Sequence, residues 1–125
     1  MSNVAKVKPS SLPSDTVVGG YRVVRKISAG GFGLVYLAVD SEGQQVALKE
    51  YLPASLATRG PGELIPQVQT DKLSLYRLGL KSFFEEGRSL AQISHASVVS
   101  VLNFFRENDT VYMVMNYLEG ATLQD

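Results

Sequence analysis

Three groups of residues in this chain have the types and spacing to handle a phosphate. The first is a glycine-rich turn, Ile27-Ser28-Ala29-Gly30-Gly31-Phe32-Gly33. Glycines let a backbone approach a phosphate closely and point N–H groups at it. Context narrows what such a turn can be. A Walker loop closes on Gly-Lys-Ser/Thr, which is missing here. A dinucleotide fingerprint opens a helix, but the residues that follow, Leu34–Asp40, are β-branched and aromatic-rich. What remains is a hairpin lid over a nucleotide, set against the plainer reading of a glycine-rich hairpin with no ligand.

The second group is Val46-Ala47-Leu48-Lys49. On a strand, Ala47 and Lys49 share one face, and Gly33 and Val35 share a face of the strand before it. A small residue beside a lysine leaves room for a flat base next to a cation. The plainer alternative is a solvated lysine at a strand end. The third is a carboxylate out of place. On a helical wheel at ~100° per residue, Leu80, Phe83, Gly87, Leu90 and Ile93 form one stripe, and Glu86 falls inside it while Glu85 does not. A buried acid needs a partner, and Lys49 is the candidate; otherwise Glu86 lies at the stripe's edge and reaches water. His95, the one histidine, has no acid or nucleophile motif around it, so a structural hydrogen bond is the better reading. There is no metal-ligand cluster.

These residues need elements to position them. Residues 1–18 read as a flexible leader and 19–125 as one lobe. Tyr21–Ile27, Leu34–Asp40 and Gln45–Tyr51 read as consecutive strands, with Ser41-Glu42-Gly43-Gln44 as a turn. Residues 52–72 are irregular, with a short helix at Ala54–Ala57. Lys72–Ile93 reads as two helices that break near Gly79. Val98–Phe105 and Val111–Leu118 read as two more strands about a polar turn. The fold class is α+β: a five-stranded antiparallel sheet packed against one main helix, with an extra helical segment before it.

Composition sets outer bounds. A chain of 125 residues with 45% hydrophobic and 19% charged residues is an ordinary globular composition. Twelve basic residues balance twelve acidic ones, so no net field argues for nucleic acid or an anionic membrane. With no cysteine, a disulfide framework and thiolate metal sites are excluded, and a reducing compartment fits. No apolar run approaches the roughly 18 residues that span a bilayer, and the N-terminus lacks a signal-peptide core. A cytoplasmic location is the default expectation.

Taken in order, I-S-A-G-G-F-G-L-V-Y, V-A-L-K, F-F-E-E-G-R-S-L-A-Q-I-S-H and V-Y-M-V-M-N-Y-L-E-G-A-T-L resemble the N-terminal lobe of the eukaryotic-like Ser/Thr protein kinases of bacteria, from about Tyr21 to Asp125. The stretch K-E-Y-L-P-A-S-L-A-T-R is similar to a subgroup with an extended segment before the main helix. The resemblance implies roles. Ile27, Ser28, Ala29, Gly30, Gly31, Phe32 and Gly33 form the phosphate lid, with Phe32 at its tip. Val35 and Ala47 cover adenine. Lys49 contacts the α- and β-phosphates of ATP and pairs with Glu86. Met115 is the gatekeeper, and Asn116 and Leu118 offer backbone groups at the hinge. Ser28 replaces the first lid glycine of the family, and Asn116 stands where Glu is common. The catalytic-loop H-R-D and the D-F-G that supply the base and the Mg2+ ligands are missing. The chain is therefore expected to be inactive alone, with Mg2+ bound only in a complete kinase and protein substrates reached through the missing lobe. The alternative is a docking or regulatory module that binds a partner protein.

Overall fold

The structure is a computed structural model that describes residues 10–93 and 101–117. His95, Leu118 and the start of the expected fourth strand lie outside the described residues. In chain order the elements are β1 (Val17–Val18), β2 (Tyr21–Gly30), β3 (Gly33–Val39), β4 (Gln45–Tyr51), β5 (Ala57–Thr58), β6 (Gln67–Val68), a 3-10 turn (Thr70–Lys72), α1 (Leu73–Ile93), β7 (Val101–Glu107) and β8 (Thr110–Asn116). Six strands form one antiparallel sheet in the order β1-β2-β3-β4-β8-β7, and β5 pairs with β6 separately. The class is α+β with one main helix, as the sequence implies. The sixth strand is the two-residue β1.

Local chemistry explains the connections. The β3–β4 turn is held by the Asp40 carboxylate, which accepts the backbone N–H groups of Glu42 and Gln44 at 2.9 Å each. The β7–β8 turn places Asn108 and Asp109 at φ 55° and 58°, the two-residue left-handed turn that suits Asn and Asp. Strand β2 carries two bulges, one between Val23 and Arg25 and one between Lys26 and Ser28. Bulges sharpen twist and re-aim the strand, which is why the alternation of Tyr21–Ile27 looks imperfect in the sequence.

Directly paired residues share a face. One face carries Leu34, Tyr36 and Ala38 of β3, Val46, Leu48 and Glu50 of β4, and Tyr112 and Val114 of β8. Every one of these is buried. Their cover comes from segments that look irregular in the sequence. Leu12 and Val18 join this core from the N-terminal side, and Leu52 and Ala57 from the segment after β4. Within residues 10–18, expected as part of a flexible leader, Leu12 and Val18 are buried: Leu12 N donates to the Tyr36 hydroxyl at 3.0 Å, and Val17–Val18 pairs with β2.

A buried ion pair ties these covers down. The Arg59 guanidinium grips the Glu50 carboxylate with two 2.8 Å hydrogen bonds, and both side chains are fully buried. Arg59 also donates to the Tyr36 hydroxyl and to the carbonyl of Ser10, each at 3.0 Å. Tyr36 and Tyr112 donate their hydroxyls to Glu50 at 2.6 and 2.7 Å. Burial, then the Glu50 charge, pushes both phenols well above the usual tyrosine range. Burial alone would weaken the Arg59 proton, but the hydrogen bonds and charge of Glu50 outweigh it.

The opposite face receives α1. The helix runs unbroken through Gly79, where two helices were expected. The glycine is there for space: a Cβ at Gly79 would sit 2.2 Å from the Tyr51 hydroxyl. That hydroxyl donates to the carbonyl of Tyr76 at 3.0 Å, and the Tyr51 ring packs against Tyr76 and Phe83 at 5.3 and 5.6 Å. Phe84 meets Phe104 edge-on at 4.8 Å. The helix expected at Ala54–Ala57 is only a turn, in which the Pro53 carbonyl accepts from Leu56 and Ala57 at 3.0 Å. The β5–β6 hairpin occupies part of the region expected to hold the extra helical segment, and the 3-10 turn Thr70–Lys72 leads directly into α1.

Candidate functional site

The sheet register gathers most of the sequence-predicted residues on the α1 face. Val35 pairs with Lys49, Leu37 with Ala47, and Ala47 with Met115. Gly33 pairs with Tyr51 at the end of the same strands. Val35, Leu37 and Ala47 are buried yet stand apart from the main core cluster. Lys49 is half-buried beside them. The lid is the β2–β3 hairpin: Ser28 pairs with Val35, Ala29 with Leu34 and Gly30 with Gly33, leaving Gly31 and Phe32 as a two-residue turn. Ile27 sits in the second bulge, while Ser28, Ala29, Gly30 and Gly31 are exposed. Met115 and Asn116 end β8, both half-buried.

Gly33 shows why the turn needs glycine. Its φ is +148°, and a Cβ there would lie 2.0 Å from the Glu50 carbonyl oxygen. The lid base is thus pressed onto the end of β4, where Leu52 N donates to the Phe32 carbonyl at 2.8 Å.

The expected Lys49–Glu86 pair is not formed in this structure. Among the described residues, ion pairs join Arg22 to Asp15 and Arg59 to Glu50. Glu86 is exposed. On the wheel it stands about 60° from Phe83, at the margin of the buried stripe rather than inside it. The Lys49 ammonium lies instead over the Phe32 ring at 4.4 Å and the Phe83 ring at 5.7 Å. Both distances are within cation–π range. Sequence reasoning missed Phe83 as a neighbour of Lys49, although it lies one turn before Glu86 on the same stripe.

The donor set fits an anionic, flat-ringed ligand. It offers a half-buried ammonium with no carboxylate on it, an apolar strip of Val35, Leu37 and Ala47 beside it, and a glycine hairpin at its edge. A cleft of about 700 Å³ lies elsewhere, between α1 and the β7–β8 turn. Leu80, Phe84 and Val111 line it together with Arg77, Lys81 and Arg106, and none of the predicted site residues does. The chemistry places the candidate site at Lys49, not at that cleft. Among the described residues no helix is long and apolar enough to cross a membrane.

Residues 21–125 match the protein kinase domain family. The chain is 34% identical over 105 residues to the serine/threonine-protein kinase PknD of Chlamydia pneumoniae, covering 83% of this chain and 9% of that protein. It is 31% identical over 118 residues to the serine/threonine-protein kinase pkn2 of Myxococcus xanthus, covering 94% of this chain and 12% of that one. The chain thus spans about a tenth of the length of these relatives. Among solved structures, the apo form of PpkA-294 superposes with a TM-score of 0.81 at 38% identity, over 91% of this chain and 41% of that one.

Proposed function

The chain belongs to the protein kinase domain family, and from that premise we propose that it is the ATP-binding lobe of a serine/threonine protein kinase. The observation that carries this reading is the β3–β4–β8 register. It aligns Val35 with Lys49 and Ala47 with Met115 on one face, beneath a glycine hairpin. In a complete kinase, ATP supplies the γ-phosphoryl group that moves to a protein hydroxyl. The lid from Ile27 to Gly33 would cover the phosphates with its backbone N–H groups. Val35 and Ala47 would bound the base, with Met115 behind it and the backbone of Asn116 and Leu118 at the hinge. Lys49 would hold the α- and β-phosphates. Glu86 would steady Lys49 once α1 turns it inward.

The 125 residues include no H-R-D and no D-F-G. In the family those motifs provide the base and the Mg2+ ligands, so this polypeptide alone should not transfer phosphate. Its ATP affinity should be weak, because the second wall of the pocket belongs to the other lobe. The test is a ¹H–¹⁵N correlation spectrum titrated with ATP and Mg2+, for the wild-type chain and Lys49→Met. Selective shifts at Gly30, Gly33 and Lys49 are expected, much reduced in the variant, which should keep its fold. A well-dispersed spectrum that ignores ATP, or one whose response Lys49→Met leaves intact, would refute the reading.

A further inference from the structure

We propose that Phe32 is an internal competitor for the Lys49 ammonium, so that phosphates gain this cation only by evicting the Phe32 ring. The inference rests on the reading of Lys49 as the phosphate-binding group, and it adds a regulatory element to that site.

An aromatic ring at the tip of an exposed hairpin has water on most sides. Here the ring is instead folded back under the lid. A Cβ at Gly30 would meet Phe32 Cε2 at 3.2 Å, so the ring lies against the Gly30 backbone. From there it reaches the Lys49 ammonium, 4.4 Å from its centroid. Phe32 is half-buried while its lid neighbours Gly30 and Gly31 are exposed.

The two rings on Lys49 differ in freedom. Phe83 is 7% exposed and wedged against Tyr51 at 5.6 Å, so it is a fixed shelf. Phe32 is half-buried, lies outside the core cluster, and has no ring pair among the described residues. Its backbone is pinned by the hydrogen bond from Leu52 N at 2.8 Å. The ring can therefore leave by side-chain rotation with the lid in place. An ammonium with no carboxylate partner gains most from a ring face when partly desolvated, and an incoming phosphate draws on that same charge. Apparent nucleotide affinity is then the intrinsic affinity multiplied by the fraction of molecules with the ring out.

The test uses the 125-residue chain and Phe32→Leu, which keeps an apolar tip without a ring. The first readout needs no nucleotide. The Lys49 ε-methylene protons should resonate upfield in the wild-type chain, because they sit over ring faces, and move downfield in Phe32→Leu. The second readout is titration with ATP and Mg2+. Phe32→Leu should bind about three- to tenfold tighter, the equivalent of removing one partly desolvated cation–π contact. An unchanged Lys49 signal in Phe32→Leu overturns the clasp. Equal or weaker ATP binding by Phe32→Leu, with wild-type binding measurable, overturns the competition. If neither protein binds ATP but the Lys49 signal responds, the clasp stands and the proposed function fails.

Discussion

Removing the Arg59 guanidinium should destabilise this lobe severely, and the expected size follows from its contacts. Arg59→Met keeps the length and apolar stem of the side chain. It deletes the two 2.8 Å bonds to Glu50, along with the bonds to Tyr36 and the Ser10 carbonyl. The carboxylate left behind is fully buried, and its remaining donors are the hydroxyls of Tyr36 and Tyr112. Stranding one member of a buried ion pair costs about 3–5 kcal/mol. A small domain has only about 5–15 kcal/mol of stability in total, so the loss is a large fraction of it. With a urea slope of about 1.5 kcal/mol/M, the unfolding midpoint should fall by roughly 2–3 M. The chain has no tryptophan, so far-UV circular dichroism is the probe.

The double variant Arg59→Met/Glu50→Gln isolates the cause. Gln keeps the shape and an acceptor oxygen for the tyrosine hydroxyls while removing the charge. Each single change should be severe, and the double variant should be much milder than their sum, with a coupling of about 2 kcal/mol or more. Additivity within about 0.5 kcal/mol, or a loss in Arg59→Met below about 1 kcal/mol as for an exposed pair, would refute the reasoning.

Two further predictions concern the α1 face. Gly79→Ala gains about 1 kcal/mol of helix propensity, yet its Cβ would fall 2.2 Å from the Tyr51 hydroxyl. Net destabilisation of about 1–3 kcal/mol is expected, relieved in a Tyr51→Phe background; a higher melting temperature for Gly79→Ala alone would contradict the packing. Alkali should unfold the lobe. Burial pushes Tyr51 up to about 12, and Tyr36, Tyr76 and Tyr112 are raised as well, again chiefly by burial. A raised phenol stabilises the fold fully below the ordinary tyrosine value of about 10, and that stability is lost as pH rises through the folded value. Tyrosinate absorbance should therefore rise together with loss of the circular dichroism signal; ionisation of these phenols near pH 10 in a chain that stays folded would count against it.

The sequence makes the sheet face around Lys49 legible because strand alternation and glycine spacing act locally. Counting alone puts Ala47 with Lys49 and Gly33 with Val35, each pair on one face of its strand, and the register joins the two faces. Two carboxylates in this lobe fall under one rule. An acid on an apolar face needs a partner. Glu86 stands at the margin of a helical stripe, where it reaches water without one. Glu50 lies on a strand face with Val46 and Leu48, and the same rule applied there leads to the buried ion pair. Its partner was hidden for a physical reason. Arg59 comes from a segment punctuated by Pro53, Gly60, Pro61 and Gly62, where no period tells which way a side chain points. The same holds for Leu12: a single leucine among Ser and Pro residues carries no pattern, yet it closes the outer face. Segments without periodicity are read as loose because local signals are all that a sequence displays. In this lobe they are held by a buried charge pair whose Glu50 is one residue from Lys49, so the anchoring of the outer face and the position of Lys49 depend on the same strand.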